Sequence, residues 1–208
     1  LFAIFLSEIK STKFQNAVQT LTTLPHFISW VIMFSLATSL FGNRGVVNAV
    51  LKNFGAEGIN ILTTDQHVWL IQSLLALWKS LGWSAIIYFA AITGLDQEVY
   101  EAAMVDGASR WQKIRYITIP LLIPTFFVLL IMGIGNFLNS GIDQFLAFGN
   151  AMNKEYIEVL DLYVYNLGIG NGQISFSVAV GMMKSVVAVV LFALANFASK
   201  KIRGTSVF

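Results

Sequence analysis

An all-α, polytopic transmembrane helical bundle is the fold class that the sequence predicts, and three observations predict it. Hydrophobic residues make up 56% of the chain and charged residues only 12%, and mean hydropathy is +0.71. A soluble domain carries about 25% charged residues, so this chain has too few to solvate a surface. Long apolar segments recur at the length a crossing helix needs, about 20 residues, and a polar, mixed-charge island at residues 101–120 separates two of them.

The elements follow in order as one domain over residues 1–208. The chain opens on LFAIFL with neither methionine nor a basic leader, so it is expected to begin inside a helix, over about 1–9, with at least one upstream span missing. Further spans are expected at about 22–41, 68–93, 120–138 and 176–198. His26, beside Pro25, reads as an interfacial helix start. Between the spans, residues 42–67 and 139–175 form one set of loops and residues 94–119 another. Lys10, Lys13, Arg110, Lys113, Arg115, Lys200, Lys201 and Arg203 fall on one side, and Arg44, Lys52 and Lys154 on the other. The richer side is cytoplasmic by the positive-inside rule, which puts 94–119 and the C-terminus in the cytoplasm and the two longer loops outside.

Residues 96–120 parse as two short helices with a forced break. Asp96 is placed to cap the first, with Glu98 and Glu101 where the helix dipole favours negative charge. Ala102 and Ala103 leave room for another backbone to approach, and Asp106 offers a local cap. Gly107 ends the helix, because left-handed dihedrals carry no Cβ penalty for glycine. Ser109 with Gln112 three residues later is a capping-box pattern that restarts a helix, and Pro120 opens the next span.

At these residues the chain resembles a known family. Glu101-Ala102-Ala103, Gly107, Ile117 and Pro120 are similar in type and spacing to the EAA loop of permease subunits of binding-protein-dependent ABC importers. Ile119 departs from the usual leucine, an exchange of one aliphatic for another. TLPHFISWV, LWKSLGW, IIYFAAITGLDQEVYEAA and SFSVAVG resemble the carbohydrate permeases, particularly their LplB-like branch with a MalF/MetI-like fold. The resemblance implies that the first short helix docks in a cytoplasmic ATPase dimer and carries its closure to the spans, through Glu101, Ala102, Ala103, Asp106 and Gly107. It also implies a second homologous permease in a heterodimer, an extracytoplasmic substrate-binding protein, and residence in a prokaryotic cytoplasmic membrane among its lipids.

What the sequence lacks bears on the chemistry. It contains no G-x-x-x-x-G-K-[ST] phosphate cradle, and LGIGNGQIS at 167–175 has the glycines without the lysine. ATP and magnesium are therefore expected on a partner subunit, with no cofactor in this chain. There is no cysteine, and His26 and His67 lie 41 positions apart without carboxylate spacing around them, so no metal site is expected. No nucleophile, acid or base set stands out, so the chain is not expected to be an enzyme. A net charge of +2 gives no reason to expect nucleic acid.

Polar residues within spans are costly and point to a pathway. Lys79, flanked by Trp78 and Trp83, can hydrogen-bond a sugar hydroxyl or pair with a carboxylate while the indoles stack on pyranose faces, or it can snorkel from an aromatic belt. Asn136, Asn139, Asp143 and Gln144, among Gly133, Gly135 and Gly141, suit a discontinuous helix facing a watery cavity, or a helix end with ordinary caps. Lys79 and Asp143 hint that charge matters, in favour of a uronate-containing or otherwise polar glycan. The competing function is an ion-coupled secondary transporter or channel that uses Lys79, Asp143 and Lys184.

Overall fold

The computed structural model describes residues 1–58, 62 and 67–203, with the side chains of Ile202 and Arg203 outside that set. The loop expected over 42–67 therefore lies partly outside the described residues, as does Arg203's side chain. Twelve α-helices and no strand occur among the described residues. They fall into two compact units, one of Leu1–Phe27, Leu77–Ile134 and Phe192–Phe208, the other of Ile28–Ala76 and Gly135–Leu191. Among the described residues, four helical stretches are long and apolar enough to cross a bilayer: Trp30–Asn53, Val68–Thr93, Arg110–Gly135 and Ile174–Lys201.

In the first unit, α1 (Phe2–Ser7) is followed by α2 (Thr12–Thr23), capped where the Ser11 hydroxyl accepts from the Phe14 amide. The Gln15 side chain returns to the Leu6 carbonyl at 3.1 Å and joins the two helices. A 3-10 turn over Leu24–Phe27 ends this run. The turn corrects the continuous span expected at 22–41. Pro25 cannot donate a backbone hydrogen bond, and Ser29 restarts the helix by accepting from the Ile32 amide, so α3 covers only Trp30–Phe41.

The unit continues with α5 (Val68–Thr93) from Leu77, α6 (Gln97–Val105), α7 (Arg110–Lys113) and α8 (Ile119–Gly135). A π-helical turn, Ile114–Thr118, joins α7 to α8. With no N–H at Pro120, the Tyr116 carbonyl has no ordinary α-helical donor four residues on, and the ladder widens there. Buried Ile4, Ile114 and Leu122 form the apolar centre, with Ala91 and Ile92 against it. Gly82 meets the Thr22 carbonyl so closely that no Cβ fits between them.

The second unit holds α3, α4 (Val46–Asn53), α9 (Ile142–Phe148), α10 (Lys154–Ile157), α11 (Leu160–Tyr165) and most of α12 (Ile174–Arg203). Its core gathers Ala37, Leu62, Val68, Phe145, Phe148, Ile157 and Leu162. Trp30 and Phe34 meet the Phe148 ring edge-on, with centroids 6.4 and 5.1 Å away. Such edge-to-face pairs fix ring orientation as well as burying area.

Candidate functional site

The island at 96–120 folds through local capping. Asp96 takes the N-cap of α6, its carboxylate accepting from the Glu98 amide at 2.9 Å. At the other end the amides of Gly107 and Ala108 donate to the carbonyls of Met104 and Ala103, a Schellman closure that needs Gly107 at φ +75°. Asp106 caps through its backbone, its amide donating to Ala102, while its carboxylate stays exposed. Ser109 and Gln112 then complete a reciprocal capping box, at 2.7 and 3.3 Å.

Glu101 and Ala102 are exposed on α6, and Ala103 is half-buried. The surrounding surface is apolar: Val105 is 89% exposed and Trp111 63%, with Met104 and Tyr116 also open. The sequence motif marked the helix but not this rim of large side chains.

Lys79 and Trp83 come together around His26 in the first unit. The Lys79 ammonium donates to the carbonyls of Pro25 and His26, at 3.1 and 2.8 Å. Trp83 stacks on the His26 ring at 4.5 Å and 3°, and Phe27 meets the same indole edge-on. Lys79 thus closes the broken end of the 3-10 turn, a bond that neither snorkelling nor sugar recognition anticipates. His26 serves as a stacking partner and carbonyl acceptor in that turn.

The second polar group belongs to the other unit, and the structure divides it. Asn136 and Asn139 lie exposed in the turn after α8, where the Asn139 amide donates to the Asn136 side-chain oxygen at 3.3 Å. Gly141 at φ +74° begins α9, and Asp143 is exposed in its first turn, where a carboxylate suits the dipole. Gln144 stands apart. It is only 6% exposed, and its amide donates to the carbonyl and side-chain oxygens of Gln72, at 3.0 and 2.8 Å. A buried amide has to be satisfied, and here a neighbouring helix does so.

Sequence reasoning also missed Asp161. One of its carboxylate oxygens accepts from the Ser140 amide at 2.9 Å, and the other pairs with Lys184. The polar turn is thereby tied to α11 and α12. The signal was a lysine in an apolar span with no partner in local sequence. Among the described residues no group of His, Cys, Asp or Glu is arranged to hold a metal ion.

Comparison with known proteins agrees on one kind of molecule. The family model described as "Binding-protein-dependent transport system inner membrane component" matches residues 1–204. The chain is 42% identical to the polygalacturonan/rhamnogalacturonan transport system permease protein YteP of Bacillus subtilis (strain 168) over 97% of this chain and 63% of that one. It is 37% identical to Protein LplB of the same organism, over 97% of this chain and 64% of that one. This chain thus spans just under two thirds of the length of these two relatives. A crystal structure of a bacterial ABC transporter that imports the acidic polysaccharide alginate superposes with a TM-score of 0.91 at 35% identity, covering 97% of this chain and 71% of that one. A second, containing an alginate pentasaccharide-bound periplasmic protein, also gives 0.91 at 35% identity, with 99% and 72% covered.

Proposed function

Because the chain belongs to the family of binding-protein-dependent transport system inner membrane components, we propose that it is a membrane-spanning permease subunit of a carbohydrate ABC importer. It forms the translocation pathway with a second homologous permease, receives substrate from an extracytoplasmic binding protein, and is driven by a separate ATPase dimer that binds ATP and magnesium. Its membrane is the prokaryotic cytoplasmic membrane, with 94–119 and the C-terminus on the ATPase side.

The observation that carries this reading is the double-capped knuckle of α6 and α7 with its exposed apolar rim. Capping at both ends makes α6 a short rigid body, and Glu101, Ala102, Ala103 and Gly107 allow close seating in a partner's cleft. A chain without a phosphate cradle can use ATP only through such a contact. The substrate class is an acidic oligosaccharide, since one relative is named for polygalacturonan and rhamnogalacturonan and both solved transporters for alginate. Asn136 and Asn139 are the pathway candidates whose amides remain exposed. An ion-coupled carrier draws no support from the family, and its two lysines are engaged by backbone carbonyls and by Asp161.

Co-purification of the full-length chain with its second permease and ATPase tests this reading. Val105→Glu is expected to strip the ATPase from the complex, and oligogalacturonate-loaded binding protein to stimulate hydrolysis by the intact one. Retention of the ATPase by the Val105→Glu complex, together with transport driven by an ion gradient alone, would sink the proposal.

A further inference from the structure

Resting on that reading, we propose that the hydrogen bond between Tyr100 and Thr118 is the mechanical link by which α6 moves α8, which makes Tyr100 and Thr118 positioning residues for coupling.

The covalent route between the two helices is poorly suited to the task. From Glu101 it passes through Gly107 at φ +75°, a four-residue helix and the π-helical turn. A push along that route is absorbed by a glycine turn and a loosened ladder. Tyr100 bypasses it. Its hydroxyl lies 2.9 Å from the Thr118 hydroxyl across 18 residues of sequence.

Thr118 is the residue through which such a contact reaches the span. It is 4% exposed and shares a helix face with Ile114 and Leu122, four residues away on either side and also buried. Ile114 and Leu122 pack with Ile4 of α1 and with Ala91 and Ile92 of α5. A displacement of Thr118 therefore acts on the packed seam of the unit, which moves as a body because close-packed interiors deform little. The Thr118 hydroxyl also donates to the Lys113 carbonyl, at 3.5 Å and so at the edge of bonding. Tyr100 is the nearer of its two partners, and without it the buried hydroxyl keeps only that long bond. Thr118 is the last residue of the π-helical turn, so the contact enters where the loosened ladder gives way to α8.

Phenylalanine keeps the ring and removes the bond, so the test separates coupling from packing. The full-length chain is assembled with its second permease and ATPase in proteoliposomes, and oligogalacturonate uptake and ATP hydrolysis are measured together. Tyr100→Phe is expected to retain the ATPase and to lower saccharide moved per ATP by well over about twofold. The Tyr100→Phe/Thr118→Val pair removes both partners, so thermal stability returns toward that of the unsubstituted protein while uptake per ATP stays low. Recovery of uptake along with stability in the double variant overturns the proposal, as does a Tyr100→Phe complex within about twofold of the unsubstituted one. Loss of the docking reading shows elsewhere, as ATPase retained by Val105→Glu.

Discussion

The Lys79 ammonium donates to the His26 carbonyl oxygen at 2.8 Å, across 53 residues of sequence. A cation on one helix thus satisfies the open end of another, the same attraction that favours basic residues at helix C-termini.

Lys79→Met removes the donor to two carbonyls at once. The expected loss is about 2 kcal/mol of stability, read as a lowered Tm in detergent. Lys79→Arg is expected to recover part of it. An unchanged Tm in Lys79→Met would show that water satisfies these carbonyls equally well.

Gly82→Ala is expected to damage the first unit more than Gly107→Ala. A Cβ at Gly82 meets the backbone of Thr22, which cannot swing aside, whereas one at Gly107 meets nothing within 4 Å. The first costs about 1–3 kcal/mol by overpacking, with a shift of α2. The second costs about 1 kcal/mol of left-handed strain. Comparative thermal denaturation ranks them.

Gln144→Leu leaves the Gln72 side-chain oxygen without the donor it now has, at a cost of about 2 kcal/mol. Replacing Gln72 and Gln144 together by leucine is expected to return much of that loss, because the side-chain acceptor and its donor then leave together. A double-mutant cycle on unfolding measures the difference, and simple additivity contradicts the pairing.

Asp161→Lys with Lys184→Asp restores opposite charges but leaves the Ser140 amide without its carboxylate. Stability is expected to return relative to either single exchange, each of which costs about 2 kcal/mol at these part-exposed positions. Hydrogen exchange at Ser140 is expected to stay faster than in the unsubstituted protein. Slow exchange in the swapped pair would assign the turn's order to something other than Asp161.

Elements governed by neighbours in sequence were the legible ones. Asp96, Gly107, Ser109 and Gln112 close their helices through bonds two to five residues long, and all four can be read from residue type and spacing. The break at Leu24–Phe27 was legible only in part: Pro25 and His26 marked a helix start, but the apolar residues on either side carried the expected span through it. Polarity inside a span says that a partner is required without saying which one. Gln144 found Gln72 and Lys79 found a backbone turn, and both partners lie more than fifty residues away.

That distance orders events in time. The carbonyls of Pro25 and His26 leave the ribosome more than fifty residues ahead of the ammonium that satisfies them. During synthesis the turn waits half-made, and only the arrival of α5 completes it. A turn made before α5 is therefore finished only after it.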